Sequence, residues 1–552
     1  MKSKYLLFLL FIFIGIILFS CKGRVNSQKK VHAVKLPGIE KTDENLINLY
    51  FQNQPEDSIW KEDILTFYKT RNYKLAWSYK GRFILQANYV INMIKNIDEE
   101  GFSMECFPTN DIWHHYIQLS DYQESTHPEH IKDREEFDIF LTITFFKYAR
   151  KIWAGINNPE KYDWFITKKT INERELLTSI LKADLDSAFS ASKFHPLHKQ
   201  YNLLKKTLIQ YRKIARQGGW GNVTKSTYKI KTGDTSEIIK QLRYRLSFEN
   251  KALKADTNSY FDSTLEAALK KFQFCHGLDT TGILDPSTID ELNIPVEKRI
   301  LQLSLNMERW RWLPEKGGDL YVAINIPEYA LHVYENNKHA WQMNVIVGKT
   351  LSHTPIFSNE IQFLVFNPSW NVPKSIALKE FLPLQKKDPA YLTRHNMQVF
   401  IGSKLNTPIH PDSIIWHTIN EQNFNLTFIQ PPGPENPLGK VKFLFPNTFD
   451  VYLHDTPAKH LFTQKERGFS HGCIRLEEPM KLAQYLLEQQ GMWKEKEINK
   501  LLGMDKEIYM KLKKKVPVYI VYFTTWMDSK ENVHFRKDIY GLDQKLIDEL
   551  NF

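Results

Sequence analysis

Residues 320–326 read LYVAINI and residues 329–334 read YALHVY, with Pro327 and Glu328 between them. In both segments apolar side chains recur at about every second position, which is the period of a β-strand with one buried face. Proline lacks a backbone N–H, so Pro327 suits a turn better than a strand interior. The two segments therefore predict a β-hairpin.

The same pattern continues downstream with one interruption. Alternating segments at 344–348 and 361–366 predict further strands, and 516–526 with 533–535 predict a terminal pair. Between 374 and about 427 the alternation gives way to a helix-like run at 376–384 and then to polar, aromatic sequence. Residues 300–552 are therefore expected to form a β-rich domain that carries an insert.

Upstream of the hairpin, the apolar spacing becomes three and four residues. Ile64, Leu65, Phe67 and Tyr68 show this spacing, and similar runs recur from 41 to about 222, which predicts a helical domain. In a smaller module at 228–295, helical runs at 265–273 and 288–292 are separated by glycine-containing turns. The chain has 552 residues, 42% of them hydrophobic, which is enough for three or four domains. The expected fold class is multidomain α+β.

The most reactive residues lie together near the C-terminus. Residues 469–476 read FSHGCIRL, and His454 stands a short way upstream. Cys473 thus follows a glycine and lies between His471 and Arg475. A free thiol is mostly protonated at neutral pH, and nearby cationic groups or an imidazole convert it into the thiolate that attacks acyl carbons. The arrangement predicts a cysteine acyl-transfer site.

Two other roles compete for Cys473. A buried structural cysteine would lie in apolar sequence, whereas this one has histidines, an arginine and the acidic Glu477 and Glu478 nearby. A zinc site would need three or four ligands at regular spacing. His454, His471 and Cys473 can supply three, but no CxxC or HxxxH pair accompanies them. The nucleophile role is favoured.

His454, a spacer and the segment SHGCIR at 470–475 resemble the signature of the L,D-transpeptidases, cysteine enzymes that remodel bacterial peptidoglycan. The large, lid-bearing members carry runs similar to NPSWNVP at 367–373, to PPG at 431–433 with Asn436, Leu438 and Gly439, and to FPN at 445–447. This resemblance implies a YkuD-type catalytic domain at 300–552, in which residues 374–427 form a lid over the nucleophile.

The resemblance also implies a role for each residue of the motif. Cys473 would be the nucleophile, and His454 the base that takes its proton and later protonates the leaving amine. A backbone carbonyl or a small polar side chain often orients this histidine in the family, so Asp455 is a candidate for that role. Backbone amides around Gly472 and Cys473 would form the oxyanion hole.

The remaining motif residues have less defined roles. His471 is expected to shape or polarise the oxyanion pocket. Arg475 can bind a substrate carboxylate or clamp the loop, and the sequence does not choose between these. Ser470 is interpreted as a hydrogen bonder of the loop rather than a catalyst. Tyr452 alternates with its neighbours along a predicted strand, so packing is its favoured role.

The other domains have counterparts in the large family members. Residues 41–222 resemble their helical scaffold domain, and residues 228–295 resemble a three-helix peptidoglycan-binding module. Such a module can bind glycan or serve only as architecture. Within the lid, Trp370, Trp416 and Phe424 can line a groove, although aromatic side chains in such positions are more often core.

The N-terminal sequence predicts export. Lys2 and Lys4 precede an apolar run from residue 5 to 19, a signal-peptide pattern that is short for a membrane span. Ser20 before Cys21 resembles a lipoprotein processing site, although Phe19 is larger than usual there. Residues 1–21 are thus expected to be a signal peptide with lipid attachment at Cys21, and 22–40 a tether. An uncleaved N-terminal anchor is the alternative.

Taken as a resemblance, these features imply an exported, periplasmic, membrane-anchored L,D-transpeptidase that forms 3-3 cross-links between peptidoglycan stem peptides. An L,D-carboxypeptidase and a non-catalytic peptidoglycan-binding scaffold are the alternatives. No metal or organic cofactor is implied, and carbapenems are expected as covalent inhibitors. The formal charge of +11 falls to +9 without Lys2 and Lys4, and no nucleic-acid motif accompanies it. Cys106 and Cys275 remain either a disulfide or two buried thiols.

Overall fold

The computed structural model describes residues 40–550, apart from 157, 167–168, 186–196, 227, 251–252, 255–256, 316, 403–404, 406 and 493–494. The predicted signal peptide with Cys21, and the predicted tether up to residue 39, lie outside the described residues. In the part that is described, no helix combines the length and the apolar character needed to cross a bilayer.

The N-terminal part of the chain is helical, as predicted. Its helices are α1 (Glu44–Asn53), α2 (Lys61–Thr70), α3 (Leu85–Lys95), α4 (Thr109–Asp121), α5 (Pro128–Trp153), α6 (Glu173–Lys182) and α7 (Lys199–Arg216). The short strands β1 (Ser78–Tyr79) and β2 (Arg82–Phe83) pair with each other. Buried Asp138 on α5 accepts hydrogen bonds from the Ala76 and Trp77 amides at 2.9 and 2.8 Å, which ties the central helix to this turn.

The predicted three-helix module is confirmed as α8 (Glu237–Ser247), α9 (Ser263–Cys275) and α10 (Pro286–Leu292). Ser236, Asp262 and Asp285 cap the three helix N-termini through their side-chain oxygens. The module has an apolar core of its own. Helix α11 (Val296–Trp312) follows and packs along α7.

The C-terminal part is built on a large sheet, which confirms the predicted α+β class. Its strands are β3 (Trp164–Phe165), β4 (Leu320–Asn325), β5 (Ala330–Glu335), β6 (Lys338–Gly348), β7 (Ile356–Phe366), β11 (Val441–Leu444), β12 (Leu453–His454), β13 (Gly468–Ser470), β14 (Ile474–Leu476) and β15 (Ile508–Val521). They lie in the order β11-β12-β14-β6-β5-β4-β15-β7-β3, with β13 beside β6. Because β11 also pairs with β7, the path closes on itself.

The predicted hairpin at 320–334 is confirmed as β4 and β5, with a helical turn at Ile326–Glu328 between them. The prediction of one strand at 516–526 is wrong, because β15 ends at Val521. A separate strand β16 (Thr525–Met527) then pairs with β17 (Val533–Phe535) in a small sheet of its own. The C-terminal helices are α15 (Pro479–Glu488), α16 (Glu495–Leu502) and α17 (Leu542–Leu550).

The insert forms a compact unit with its own sheet and core. The sheet has the order β8-β10-β9, formed by β8 (Trp370–Asn371), β9 (Gln398–Ile401) and β10 (Leu426–Gln430). Its helices are α12 (Lys374–Ile376), α13 (Leu382–Lys387) and α14 (Tyr391–Arg394), with a wide π-type turn at Ala377–Phe381. Trp416 and Phe424 are buried in this core, while Trp370 is half-buried against it. We call residues 370–430 the lid.

The helical part and the large sheet share one apolar core. Trp164 of β3 contacts Trp312 of α11 and Phe523 near the end of β15, with ring centroids 5.1 and 5.8 Å apart. Beside these rings, fully buried Arg311 pairs with Glu308 at 2.7 Å. The N-terminal helical part therefore contributes a strand and buried side chains to the large sheet and shares its core.

Cys106 and Cys275 are free thiols in this structure. Cys275 is buried on α9 and its pKa is raised to about 12 by burial, whereas Cys106 is half-exposed. The two cysteines therefore do not form the disulfide that one of the sequence alternatives allowed.

Candidate active site

Cys473 lies in the turn that joins β13 to β14, beside the strand that carries His454. β12 and β14 run parallel, with Leu453 opposite Ile474 and His454 opposite Arg475. The residues just before β12 are held by Asn447, whose side-chain amide donates to the carbonyls of Phe445 and Val451 at 2.8 Å each. Sheet pairing therefore places His454 beside the strand that follows the Cys473 turn.

The turn that carries Cys473 is shaped by short polar contacts. The Ser470 hydroxyl donates to the Cys473 carbonyl at 2.5 Å and accepts from the Gly472 amide at 3.1 Å. Thr354 donates to the Gly472 carbonyl at 2.8 Å. Gly472 has a φ of +118°, a conformation that side chains with a Cβ rarely adopt, so this position requires glycine.

These hydrogen bonds determine which backbone N–H groups of the turn remain available to a substrate. The Gly472 N–H is used by Ser470, whereas the Cys473 N–H has no hydrogen-bond partner among the described residues. Of the two amides named from the sequence, the one that remains free to bind a developing oxyanion is therefore that of Cys473 itself.

The half-buried thiol of Cys473 lies beside Tyr452. Burial raises the pKa of this thiol, while hydrogen bonds from the Tyr452 backbone N–H and hydroxyl and the charge of Arg475 act in the opposite direction. The thiol also lies 3.7 Å from the Asp450 carbonyl. Tyr452, interpreted from the sequence as a packing residue, also lies beside this thiol.

A sequence signal for Tyr452 did exist. Residues two apart on a strand share a face, so a tyrosine two positions before His454 points to the same side of the sheet. The two rings are 5.6 Å apart in the structure. Burial and the neighbouring thiol raise the pKa of Tyr452, so it stays a protonated donor at neutral pH.

His454 is 4% exposed and lies among backbone carbonyls. Its Nδ1–H donates to the Asp455 carbonyl at 2.6 Å. Burial, followed by the charge of Arg475, lowers the pKa of His454 to about 3. The imidazole is therefore neutral at physiological pH. Within the described part of the chain, no hydrogen bond joins it to the Cys473 thiol.

Asp455 contributes its backbone rather than its side chain to the imidazole. Its carboxylate accepts from the amides of Lys440 and Thr456 at 2.8 and 2.7 Å, and pairs with Lys459 at 2.8 Å. The side chain therefore organises the surrounding loops, and the carbonyl orients the ring.

Arg475 faces the same space from β14. Its Nε is buried and has no hydrogen-bond partner among the described residues, and burial lowers the pKa of its guanidinium. The nearby Cys473 acts in the opposite direction and favours a higher pKa for Arg475. A buried guanidinium with an unused donor is suited to a carboxylate or to a thiolate.

His471 lies against the lid. Its Nε2 is 2.7 Å from Glu380 Oε1 in the wide turn of the lid, and both side chains are partly exposed. Its imidazole thus contacts the lid rather than the backbone amide of Cys473. In the described chain, no group of three or more His, Cys, Asp or Glu side chains is arranged to hold a metal ion, so His454, His471 and Cys473 do not converge as zinc ligands would.

Comparisons with known sequences agree with this geometry. Residues 319–520 match the L,D-transpeptidase catalytic domain of the YkuD family, residues 62–208 match a scaffold domain, and residues 235–292 match the "Putative peptidoglycan binding domain". A "Putative L,D-transpeptidase" of Haemophilus influenzae is 34% identical over 258 residues, which is 46% of this chain and 51% of that protein. The chain thus spans about half the length of the curated relative it matches.

Solved structures with detectable likeness include further L,D-transpeptidases. One from Stackebrandtia nassauensis is 14% identical with a TM-score of 0.20, and the likeness covers 54% of this chain and 96% of that one. One from Mycobacterium smegmatis is 12% identical with a TM-score of 0.16, covering 37% and 58%. TM-scores this low add nothing to the assignment, which rests on the sequence matches. Residues 319–520 are therefore similar to an L,D-transpeptidase catalytic domain, and the residues before them to a scaffold domain and a peptidoglycan-binding-type module.

Proposed function

We propose that this protein is a cell-envelope L,D-transpeptidase that forms 3-3 peptidoglycan cross-links through a thioester on Cys473. The observation that carries the proposal is the half-buried thiol faced by two Tyr452 donors, with the neutral His454 on the adjoining strand. A thiol that lies beside fixed hydrogen-bond donors has the groups needed for covalent acyl transfer.

In the first half-reaction, Cys473 Sγ attacks the carbonyl carbon of the third, L-configured residue of a tetrapeptide stem. His454 accepts the thiol proton, and its neutral ring is the form that can do so. Tyr452 stabilises the thiolate, and the Cys473 amide is placed to receive the oxyanion. The bond to the terminal D-alanine then breaks, and the proton held by His454 passes to the departing amine.

In the second half-reaction, a side-chain amine of a neighbouring stem attacks the thioester carbonyl. Its proton passes to His454 as the new amide forms, and the Cys473 thiolate leaves. The imidazole and the thiol share no hydrogen bond in the free protein, so the base role requires a small ring movement or a bridging water when substrate binds. Such tightening is common between free and substrate-bound enzymes.

Arg475 is proposed to bind a carboxylate of the stem peptide. Its buried, unpartnered Nε supports this role over that of a loop clamp, because a clamp would have its donors occupied. His471, expected to shape the oxyanion pocket, contacts Glu380 of the lid.

An L,D-carboxypeptidase, in which water takes the acyl group, is the second candidate function. The lid bears on this choice, because excluding water from a thioester favours transfer over hydrolysis. The lid has its own core and reaches the nucleophile turn through Glu380, so it is positioned to exclude water. We therefore favour transfer.

The protein is also proposed to act outside the cytoplasm, tethered to a membrane by a lipid on Cys21, with the three-helix module near the glycan. These points rest on the sequence of residues 1–21 and on the module match at 235–292. Membrane fractionation after a Cys21→Ser change tests the tether. Full retention of that variant in the membrane fraction would rule out lipid attachment as the anchor.

Purified protein incubated with a disaccharide-tetrapeptide decides between the enzymatic functions. Mass spectrometry should find a cross-linked dimer that has lost one D-alanine, and the Cys473→Ala protein should give none. A shortened monomer as the main product would establish the carboxypeptidase instead. If neither product forms while glycan still binds, the protein is a scaffold.

A further inference from the structure

A buried hydroxyl lies directly behind the turn that carries Cys473. Thr354 is 1% exposed, and its Oγ1 accepts a hydrogen bond from the Gly348 backbone N–H at 2.8 Å. The same hydroxyl donates to the Gly472 carbonyl oxygen at 2.8 Å. Because a carbonyl oxygen can only accept, the hydroxyl proton points at Gly472. One side-chain atom of Thr354 therefore links the end of β6 to the turn.

The C-terminal part of the chain holds Thr354 in place. The Tyr540 hydroxyl donates to the Gly348 carbonyl at 2.6 Å and accepts from the Thr354 backbone N–H at 3.3 Å. The Tyr540 ring stacks on His353 with ring centroids 4.0 Å apart, and its backbone N–H donates to the Tyr522 hydroxyl at 2.8 Å. The position of the Thr354 hydroxyl is therefore set by residues outside the Cys473 turn.

The carbonyl that Thr354 binds belongs to the same peptide unit as the Cys473 N–H. Peptides are planar and, outside X–Pro bonds, almost always trans, so the C=O and N–H bonds of one peptide point in opposite directions. A hydroxyl that fixes the direction of the Gly472 carbonyl thus directs the Cys473 N–H away from Thr354. A hydrogen bond to the carbonyl also polarises the peptide and strengthens its N–H as a donor.

The groups on either side of this peptide are bound by Ser470 instead. Its hydroxyl accepts from the Gly472 N–H and donates to the Cys473 carbonyl. Within the described part of the chain, the Gly472 carbonyl has no hydrogen-bond donor besides Thr354. The orientation of the Gly472–Cys473 peptide therefore depends on Thr354.

We propose that Thr354 is a positioning residue for acylation, whose hydroxyl holds the Gly472–Cys473 peptide so that the Cys473 N–H faces the oxyanion. Thr354 acts through this peptide and does not touch the substrate. The inference rests on the proposed function, in which Cys473 Sγ adds to an acyl carbon and the carbonyl oxygen takes up the negative charge. A donor that is already aimed at that oxygen needs no reorientation when the charge develops.

Two reactions of the same thiol separate this role from a purely structural one. Iodoacetamide is attacked at its CH₂ carbon, where the S–C bond forms as iodide leaves, and no oxyanion develops. A carbapenem is attacked at its lactam carbonyl, whose oxygen carries the charge until the C–N bond breaks and the nitrogen takes the proton released by the thiol. Both reactions begin from the Cys473 thiolate, so the ratio of their rates at one pH cancels any change in thiol ionisation.

The test replaces Thr354 by Val, which keeps the shape and removes the hydroxyl, and by Ser, which keeps the hydroxyl. Thr142→Val is the matched control. Thr142 is 0% exposed, and its hydroxyl donates to the Asp138 carbonyl at 2.7 Å and accepts from Trp77 Nε1 at 2.9 Å in the helical part of the chain. For each full-length protein, intact mass follows alkylation and acylation over a series of reagent concentrations, and the unfolding temperature is measured.

We expect Thr354→Val to lower the maximal rate of acylation about 10- to 100-fold, as a misplaced oxyanion donor should. Its alkylation rate and its half-saturating carbapenem concentration should stay close to those of the wild type. Thr354→Ser should acylate at close to the wild-type rate. Thr142→Val should lower the unfolding temperature and leave both reactions unchanged.

Three results would overturn the proposal: acylation and alkylation of Thr354→Val that change by the same factor, a change confined to alkylation or to the half-saturating concentration, or a Thr354→Ser protein as slow as Thr354→Val. Where Thr354→Val does not fold, Tyr540→Phe takes its place, because it frees the Thr354 N–H and keeps the ring. It should lower acylation by a smaller factor without changing alkylation, and an equal change in both rates contradicts the proposal there as well.

The same measurements keep this inference distinct from the proposed function. A wild-type protein that the carbapenem alkylates nowhere and acylates nowhere would refute acyl transfer by Cys473, and the role of Thr354 with it. A wild-type protein that is acylated on Cys473, with the same ratio of acylation to alkylation in the Thr354 variants, would refute the role of Thr354 alone.

Discussion

The reactivity of Cys473 depends on which neighbour stabilises its thiolate. Burial favours the neutral thiol, and the donors that oppose it come from Tyr452 and Arg475. The imidazole of His454 donates its Nδ1–H to the Asp455 carbonyl and shares no hydrogen bond with the thiol among the described residues. In the free protein, Tyr452 and Arg475 therefore favour the thiolate of Cys473 against the effect of burial, and the neutral His454 can accept a proton.

Replacing Tyr452 by Phe should slow Cys473 alkylation at pH 7 and raise the pH at which the rate reaches half its maximum. A hydrogen bond to a charged group contributes about 1.5–3 kcal/mol, which corresponds to roughly 10- to 100-fold in rate. Iodoacetamide kinetics measured over pH provide the readout. Tyr244→Phe, an exposed tyrosine on α8, should behave as wild type. Identical kinetics in Tyr452→Phe would show that the backbone N–H alone supports the thiolate.

A carbapenem should acylate Cys473 and leave the other two described cysteines untouched. Its strained ring presents an acyl carbon without an acceptor amine, and the lid slows hydrolysis of the thioester. Cys275 is an internal control, since burial raises its pKa to about 12, and Cys106 is a half-exposed one. Intact mass and peptide mapping locate the adduct. An adduct of equal yield on Cys473→Ala protein would exclude this cysteine as the nucleophile.

Among the described residues, a polar pair, His471 with Glu380, joins the lid to the turn that carries Cys473. The wide turn that carries Glu380 continues into Phe381, which packs against Trp370 and Phe428 in the lid core. Glu380 is therefore anchored next to the lid core, whereas His471 belongs to the SHGC turn. Wide turns of this type recur at functional sites.

Glu380→Gln should weaken the hold of the lid and raise hydrolysis of the Cys473 thioester relative to transfer. Partly exposed ion pairs contribute about 0.2–1 kcal/mol, so a change of up to roughly fivefold in the product ratio is expected. The ratio of shortened monomer to cross-linked dimer, measured by mass spectrometry, is the readout. Glu421→Gln, exposed elsewhere on the lid, is the control. Equal ratios in all three proteins would remove Glu380 from the closure of the lid.

Local sequence patterns predicted the helices and strands well, because the two-residue and three-to-four-residue spacing of apolar side chains can be read from residues close together in the chain. The β4–β5 hairpin and the three-helix module follow from such patterns. Closure of the sheet by β7 and β11, and the break after Val521, depend on long-range pairing that no local pattern records. The same holds within the site: the SHGC motif marked Cys473, whereas the contacts of Tyr452 and Glu380 arise only from the assembled fold.

At the scale of the whole molecule, buried histidines make the free energy of unfolding depend on pH. His198 stacks on Trp310 with ring centroids 4.2 Å apart, accepts from the Gln200 amide at 3.1 Å, and has a pKa lowered to about 4 by burial. Burial lowers the pKa of His276 as well. The unfolded chain binds protons at these sites below about pH 6.5, while the folded chain does not. Stability should therefore fall as pH drops from about 6.5 to 4.

A His198→Gln variant should lose less stability over this pH range than the wild type, by up to about 3 kcal/mol, because one of the histidines that resist protonation is gone. Calorimetric unfolding at pH 7 and pH 4.5 measures the difference. His114→Gln, an exposed histidine of the same helical domain, should leave the pH dependence unchanged. An equal loss in wild type and His198→Gln would mean that other groups govern the acid sensitivity.

The pairing of β3 with β7 has a consequence for how the protein is made. Trp164 stands opposite Ile356, so this contact joins residues 192 positions apart in the chain. Loops of this length close slowly, and parallel pairings between distant segments form late. During synthesis, the helical half emerges first with Trp164 still unpaired, and β7 appears only after the three-helix module. The large sheet therefore cannot be completed until β7 has been synthesised, and β3 must stay available for pairing until then.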